Sequence, residues 1–289
     1  MTVFLQQVVN GTTIGLVYAL TAIGLTLTFG ILRVINFAHG EFYMLGAFVT
    51  YSLVVAVGLP YSAALLAAVG VVAALGFLAE RLTIRPLRGR HHFTVVLSTL
   101  GLSIFLQNAA LLAWGPDPRE IALAWASRPV LLGPIIISRM RAVALVAGVL
   151  LIAGLTLVIR RTTLGIAMRA VARNPDAAAL MGVNVGSIYA LTFGVGAALA
   201  GISGGRLGAI FNIEPVMGEW AVVKAFSVVI VGGLGNVPGA ILGGILLGIA
   251  ESLGAGYLPG GVAYKDGIGY AMLILVLLFR PQGLLGQRV

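Results

Sequence analysis

The sequence predicts an all-α, polytopic membrane protein with two similar halves inserted in opposite orientation. Hydrophobic residues make up 60% of the 289 residues and charged residues only 9%, whereas a soluble domain usually carries about 25% charged residues. Nine apolar runs approach the roughly 20 residues that a helix needs to cross the hydrocarbon core of a bilayer. A residue pattern also occurs twice along the chain. We therefore expect eight to ten membrane segments, nine by this count, with some helices broken or re-entrant.

The repeated pattern relates the two ends of the chain. It begins with Tyr-Ala-Leu-Thr at residues 18–21 and 189–192, and continues with Gly-Glu-aromatic at residues 40–42 and 218–220. From there an offset of 178 carries further residues onto counterparts: Ala47-Phe48 onto Ala225-Phe226, Pro60 onto Pro238, Gly70 onto Gly248 and Leu75-Gly76 onto Leu253-Gly254. Many membrane transporters are built from such duplicated units. Because an odd number of crossings separates the copies, the second copy is predicted to be inverted.

The first repeat is expected at about residues 8–114. Its apolar runs are 8–30, 36–58, 61–79 and 93–114. The turn between the third and fourth runs holds four arginines: Arg81, Arg85, Arg88 and Arg90. Since cytoplasmic loops of membrane proteins carry an excess of Lys and Arg, this turn is predicted to be cytoplasmic, with the N-terminus outside and the C-terminus inside.

A longer connection and a central helix follow the first repeat. Residues 115–141 hold Trp125 and mixed charges next to Trp114, which is typical of an outside loop with aromatic interface anchors. This loop is either a plain connector or a contact surface for an extracytoplasmic partner. The central helix is expected at about 142–159.

The cytoplasmic loop at about 162–184 is predicted to form two short helices. Thr162 or Thr163 can cap a helix that runs to about Arg173, because a Thr oxygen accepts an orphan N–H group. Asn174-Pro175-Asp176 is a second start signal, with Pro at the first helical position and Asp at the positive end of the helix. Gly182 is a natural stop. The pair is either a simple interfacial connector or a docking element for a cytoplasmic protein.

The second repeat completes a single transmembrane domain over residues 1–289. It is expected at about 187–279, with the apolar runs 187–208, 219–236, 238–256 and 266–279.

Several motifs give a specific resemblance. Residues 35–46 read INFAHGEFYMLG, residues 232–240 read GGLGNVPGA and residues 279–286 read FRPQGLLG. Together with the 162–184 loop, these motifs resemble the LivH-type permeases of branched-chain amino acid ABC importers. The resemblance covers essentially the whole chain, in order.

The resemblance implies a function and a set of partners. It implies a permease in the bacterial inner membrane that works with a second, LivM-like permease, two ABC ATPase subunits and a periplasmic binding protein. It also implies that the 162–184 loop is the coupling element that contacts the ATPase. The positions carried over are Arg169, Ala170, Arg173, Asn174, Ala177, Ala178 and Gly182.

Two glutamates at matched positions are the leading candidates for the translocation path. Glu41 and Glu219 each follow a glycine inside an apolar run, where an ionisable residue is costly and a functional candidate by default. The alternative is that each neutralises a helix dipole or pairs with Arg33 or Lys224. The full set of path candidates is Asn36, His39, Gly40, Glu41, Gly218 and Glu219.

Other classes of protein are less well supported. There is no cysteine and there are only three histidines, so no metal site or cofactor is expected. The net charge of +9 does not indicate nucleic-acid binding, because the arginines gather in short loops as they do in membrane topology. No lysine stands in a P-loop sequence, so energy has to come from a partner protein or a gradient.

Three alternative functions stay open from the sequence. One is a related permease for urea or short amides, and another is a stand-alone channel or secondary carrier. The third is an intramembrane serine protease, since residues 201–204 read Gly-Ile-Ser-Gly, although a protease needs a base near Ser203. For an amino acid substrate, the sequence shows no obvious group that would hold its two backbone charges.

Overall fold

The computed structural model describes residues 2–123, 125–126, 128–132, 135–261 and 263–286, without the side chain of residue 132. These residues form eleven α-helices and one small β-sheet. The first helices are α1 (Thr2–Leu32), α2 (His39–Val55), α3 (Tyr61–Ala79) and α4 (His92–Trp114). After α4 come β1 (Pro129–Leu132), β2 (Ile135–Ser138), α5 (Arg139–Arg161), α6 (Thr163–Arg173) and α7 (Pro175–Leu180). The last four helices are α8 (Val185–Leu207), α9 (Met217–Gly232), α10 (Val237–Tyr257) and α11 (Lys265–Phe279).

The helices confirm a multi-pass membrane protein but not the count of nine segments. Among the described residues, six helices are long and apolar enough to cross a bilayer: α1, α3 with its extension to Leu87, α4, α5, α8 and α10. The other three predicted segments form α2, α9 and α11, which have 17, 16 and 15 residues. At 1.5 Å per residue these helices are about 22–26 Å long, short of the roughly 30 Å hydrocarbon core.

A β-hairpin in the 115–141 connection departs from the all-α prediction. β1 and β2 pair antiparallel, with Val130 opposite Ile137. Three successive isoleucines begin β2 at Ile135, and β-branched side chains favour strands. Gln6 of α1 holds the hairpin, because its side chain donates to and accepts from the backbone of Ile136 at 2.7 and 3.0 Å.

Helices from the two halves pack across each other. α1 lies along α10 and α8 lies along α3, and these are two of the most extensive helix contacts. The closest approaches are made by glycines: a Cβ added to Gly15 would lie 2.6 Å from the carbonyl oxygen of Gly244. Small residues allow such close packing in membranes, where dispersion rather than hydrophobicity drives helix association.

The ends of the helices define two faces. The hairpin face contains β1–β2, the start of α1 and the end of α4. The end of α2 lies there too, because the Trp114 indole at the end of α4 donates to the Ser52 hydroxyl of α2 at 2.7 Å. The opposite side, here called the arginine face, contains α6, α7 and the 80–92 turn. Arg88 of that turn stacks on the ring of Tyr189, 4.7 Å from its centroid, near the start of α8. The predicted arginine-rich loops therefore lie on the same side of the molecule.

Candidate functional site

The chain doubles back into the molecule between α1 and α2. α1 ends at Leu32, and Arg33 adopts a left-handed conformation with φ of 56°, which is uncommon for a residue other than glycine. His39, the first residue of α2, contacts Thr21 in the middle of α1. Thr21 lies about 16 Å above Leu32 along the helix axis. The chain returns to that level through residues 33–36, which lack regular structure, and a turn at residues 37–38, where the N–H of His39 donates to the carbonyl oxygen of Asn36 at 3.4 Å.

The returning segment is bonded to α4. The Thr99 hydroxyl accepts from the backbone N–H of Phe37 at 3.3 Å and lies 3.3 Å from the carbonyl oxygen of Ile35. Non-helical backbone at membrane depth is tolerated only where protein or water satisfies it. The Thr99 hydroxyl therefore stabilises the non-helical segment between α1 and α2.

His39 and Asn36 have different surroundings in this segment. His39 Nε2 lies 2.9 Å from the carbonyl oxygen of Thr21, which can only accept, so this nitrogen carries the proton. The imidazole is buried and anchors the start of α2 to α1. Asn36 is also buried, and its Oδ1 atom has no partner among the described residues.

The starts of α2 and α9 meet at two glycines. A Cβ added to Gly40 would overlap with the carbonyl oxygen of Gly218. Conversely, a Cβ added to Gly218 would lie 2.8 Å from the Glu41 carboxyl carbon. Glycine at position 40 allows the two backbones to come this close, and glycine at position 218 leaves room for the Glu41 carboxylate. The contact places the positive ends of two short helices beside each other.

Glu41 and Glu219 stand in the first turns of these helices and both contact α4. Glu41 is 1% exposed, and its Oε1 atom accepts from the Ser103 hydroxyl at 3.1 Å. Glu219 is exposed, and its Oε1 atom accepts from the Gln107 amide at 2.9 Å. Neither glutamate forms an ion pair within the described part of the chain. The predicted pairing with Arg33 or Lys224 is therefore not seen, whereas the first-turn position agrees with dipole neutralisation.

The predicted path candidates thus gather at one junction. Gly40, Glu41, Gly218 and Glu219 surround the meeting point, and Asn36 and His39 flank it. Ser103 and Gln107 were not predicted from the sequence; they stand four residues apart on α4 and share one face of that helix. The four-residue spacing of the polar residues Thr99, Ser103 and Gln107 in an apolar run was the available signal.

The two short helices of the 162–184 loop form as predicted. Thr162 caps α6 by accepting from the N–H of Gly165 at 3.2 Å, and Asn174 caps α7 by accepting from the N–H of Ala177 at 3.0 Å. Gly182 has a φ of 83°, which only glycine adopts readily. The local cap chemistry accounts for both helices.

Two of the predicted residues of this loop contact the chain itself. Ala178 was expected at the docking surface, but it is buried against the rest of the chain. Arg169 was expected to reach a partner, but its guanidinium donates to the carbonyl oxygen of Ile159 near the end of α5. A cation favours that position because the carbonyl end of a helix is negative.

The remaining predicted residues of the loop are exposed: Ala170, Arg173, Asn174, Ala177 and Gly182. The structure adds Leu180 and Met181, which are 89% and 86% exposed at the end of α7. Two large apolar side chains at the end of a capped, alanine-rich helix indicate a contact surface, and this pattern is visible in the sequence.

Ser203 does not have the surroundings of a nucleophile. Its side chain is buried, and the hydroxyl donates to the carbonyl oxygen of Leu199 at 2.8 Å. This bond to the preceding turn is the usual way in which serine is accommodated in an apolar helix. The Gly-x-Ser-Gly match at 201–204 therefore finds no catalytic geometry among the described residues.

Comparison with known proteins gives a consistent result over the whole chain. The family described as branched-chain amino acid transport system, permease component, matches residues 7–277. The chain is 43% identical over 297 residues to the high-affinity branched-chain amino acid transport system permease protein BraD of Pseudomonas aeruginosa, covering 98% of this chain and 96% of the relative.

Two further relatives widen this comparison. The high-affinity branched-chain amino acid transport system permease protein LivH of Escherichia coli K12 is 40% identical over 299 residues, with 98% of this chain and 96% of the relative covered. A probable branched-chain amino acid transport permease protein LivH from Methanocaldococcus jannaschii is 32% identical over 284 residues, with 92% and 88% covered.

Proposed function

Because the chain belongs to the family of branched-chain amino acid transport permeases, we propose that it is the membrane-spanning permease subunit of an ATP-driven amino acid importer. The observation that carries the proposal is the family match over residues 7–277, with 43% identity to one relative over nearly its full length. The substrates proposed are leucine, isoleucine and valine. The membrane is the bacterial inner membrane, with the arginine face in the cytoplasm.

The proposed energy source is a pair of partner ATPases. The only lysines are Lys224 and Lys265, and neither follows a glycine as a P-loop requires. The exposed surface of α6 and α7, with Ala177, Leu180 and Met181, has the small and apolar composition that suits a helix seated in a groove. A second permease subunit and a periplasmic binding protein complete the proposed assembly.

The proposed mechanism is alternating access by two inverted repeats. The packing of α1 on α10 and of α8 on α3 supports the repeat, because exchanging the two copies turns one of these contacts into the other. In such transporters the binding region forms near the bilayer midplane where interrupted helices meet. The junction of α2 and α9 at Gly40 and Gly218 has this character, so Glu41 and Glu219 are proposed to shape the path.

The function is tested by reconstitution in proteoliposomes. The chain with its second permease, ATPases and binding protein is expected to take up leucine in an ATP-dependent manner, whereas the chain alone is expected to move none. ATP-independent leucine transport by the chain alone would contradict the proposal, as would a complete complex that carries urea but not leucine.

The role of the junction is tested by Glu219→Gln in the same complex. The substitution keeps an oxygen that accepts from Gln107 but removes the charge, a loss of about 1 kcal/mol, and is expected to lower the uptake rate about fivefold without loss of ATPase binding. Glu214→Gln, in the connection between α8 and α9, is the matched control. Equal uptake by both variants would remove Glu219 from the path.

A further inference from the structure

A second polar site lies in the second half of the molecule, away from the junction. Lys224 of α9 is buried, contacts Glu251 of α10 and lies 2.9 Å from Asp266 of α11. Tyr18 of α1 donates its hydroxyl to Glu251 at 3.0 Å, and Lys265 lies 3.8 Å from the same carboxylate. The cluster therefore contains two positive and two negative groups drawn from three helices, with a tyrosine from a fourth.

A cavity of about 270 Å³ opens beside this cluster. Its polar wall is formed by Lys224, Lys265 and Asp266, and its apolar wall includes Phe211, Met217 and Trp220. Pockets for drug-sized ligands usually span about 300–1,000 Å³, so this cavity suits a smaller solute. An apolar wall with a few convergent charged groups is the usual composition of a small-molecule site.

Two of the charged groups at the cavity, Asp266 and Lys265, are only partly engaged in ion pairs. The buried partners, Lys224 and Glu251, satisfy one another, whereas the side chains of Asp266 and Lys265 are 50% and 30% exposed. Lysine has three donors and an ionised carboxylate accepts at two oxygens. Asp266 and Lys265 therefore retain capacity to bind an ammonium and a carboxylate group, respectively.

The cluster has no counterpart in the other half of the chain. At the offset of 178 that relates the repeats, Lys224 corresponds to Gly46 and Glu251 to Ala73. A buried charge pair rarely raises stability over an apolar alternative of similar volume. Packing of the repeat therefore does not by itself explain why one copy contains these charges, and intramembrane charges by default mark a functional site.

The cavity is reached from the hairpin face. Phe211 and Asn212 at its edge belong to the connection between α8 and α9. Ile213, the next residue, exchanges two backbone hydrogen bonds with Arg119 in the connection after α4, at 2.9 and 2.8 Å. A solute that enters between these connections meets the exposed side chains of Phe211 and Trp220 and the partly exposed Asp266, whereas Lys224 is buried deeper inside.

We propose that this cavity binds the zwitterion of a single hydrophobic α-amino acid on its way from the hairpin face into the molecule. The ammonium group binds Asp266, the carboxylate group binds Lys265, and the side chain lies against Phe211, Met217 and Trp220. A zwitterion adds no net charge to a cluster whose own charges sum to zero, so its entry leaves no unbalanced charge in the membrane. This proposal rests on the proposed function, since it names the substrate chemistry that the permease itself recognises.

The first test is equilibrium binding of radiolabelled L-leucine to the purified complex of both permeases and the ATPases, without the binding protein. Unlabelled L-leucine is expected to compete, whereas leucinamide, which lacks the carboxylate, and 4-methylpentanoate, which lacks the ammonium group, are expected to compete at least tenfold more weakly. No leucine binding, or equal competition by all three compounds, would overturn the proposal. This arm uses the unmodified chain, so it does not depend on the folding of a variant.

The second test locates the binding site. Asp266→Asn is expected to weaken leucine binding at least tenfold, and Asp117→Asn, the same change at an exposed position outside the cavity, is expected to leave it unchanged. Ala221→Trp fills the cavity and is expected to abolish binding, whereas Val223→Phe on another face of α9 is its control. Wild-type binding by both Asp266→Asn and Ala221→Trp would overturn the proposal.

Uptake separates this proposal from the proposed function. Leucine uptake is measured for the same variants in proteoliposomes with the binding protein and ATP. If the unmodified complex takes up leucine and both cavity variants do so at the same rate, the importer stands and the cavity proposal fails. If the unmodified complex takes up no leucine, the proposed function fails first.

Discussion

Glycine determines the closest contacts in this molecule, and the consequences differ from one glycine to the next. Gly40 lies against the backbone of Gly218, with no room for a Cβ atom, whereas Gly70 of α3 has open space around its Cα atom. Backbone cannot move aside as a flexible side chain can. The free-energy cost of adding one methyl group is therefore set by the surroundings of each glycine and not by its helical conformation.

At the residue scale, Gly40→Ala is expected to destabilise the protein and Gly70→Ala is not. Overpacking a closely packed contact costs about 1–3 kcal/mol, and the overlap with the Gly218 carbonyl forces α2 and α9 apart. At Gly70 the added methyl group meets nothing, and alanine is the better helix former. The check is the melting temperature of each purified variant in detergent; equal melting temperatures would contradict the proposed tight contact.

The starts of the short helices α6 and α7 could be predicted from their capping residues alone. Their caps are made by Thr162 and Asn174, each immediately before the helix that it starts. The cap residues determine where the helices begin, but they do not determine which side faces the rest of the chain. Ala177 and Ala178 are neighbours with the same side chain, yet Ala177 is exposed and Ala178 is buried.

At the element scale, Ala177→Glu is expected to abolish co-purification of the ATPases while leaving the melting temperature of the chain within a few degrees of wild type. The reason is that the carboxylate projects from the exposed side of α7, where the proposed partner seats. Ala178→Glu is expected to unfold this region, because burying an unpaired charge is costly. Ala122→Glu, exposed on the hairpin face, is the control; if it releases the ATPases equally, the docking surface is wrongly placed.

The arrangement of the whole molecule depends on the orientation of its two halves. α2 and α9 begin beside each other at Gly40 and Gly218 and then diverge. α2 ends near Trp114 on the hairpin face, whereas the end of α9 receives the C-terminal segment, where the Leu285 N–H donates to the carbonyl oxygen of Gly232 at 3.0 Å. Gly235, just beyond α9, lies with Arg169 around one cavity at the arginine face.

At the scale of the whole molecule, equivalent positions of the two repeats are expected to be accessible from opposite sides of the membrane. The chain has no native cysteine, so Ala56→Cys and its counterpart at the 178 offset, Leu234→Cys, report directly. Both positions are exposed. A membrane-impermeant maleimide is expected to label Ala56→Cys in right-side-out vesicles and Leu234→Cys in inside-out vesicles. Labelling of both from one side would rule out inversion.

Composition and local sequence patterns were enough to predict the class of protein and the starts of α6 and α7. Each of these depends on composition or on residues a few positions apart, which act through hydrophobicity and local hydrogen bonds. The helix starts near Gly40 and Gly218 were also predicted in part, because a glutamate follows a glycine inside an apolar run at residues 40–41 and 218–219.

Contacts between residues distant in the sequence became visible only in the folded structure. One cluster contains Tyr18, Lys224, Glu251 and Asp266, which are far apart in the sequence. The sequence alone showed no group that would bind the backbone charges of an amino acid. Similarly, the identical alanines of α7 differ only in what packs against them. The physical reason is that such contacts depend on how four or more helices pack against each other. This packing involves the whole molecule and produces no periodic pattern in the sequence of any one helix.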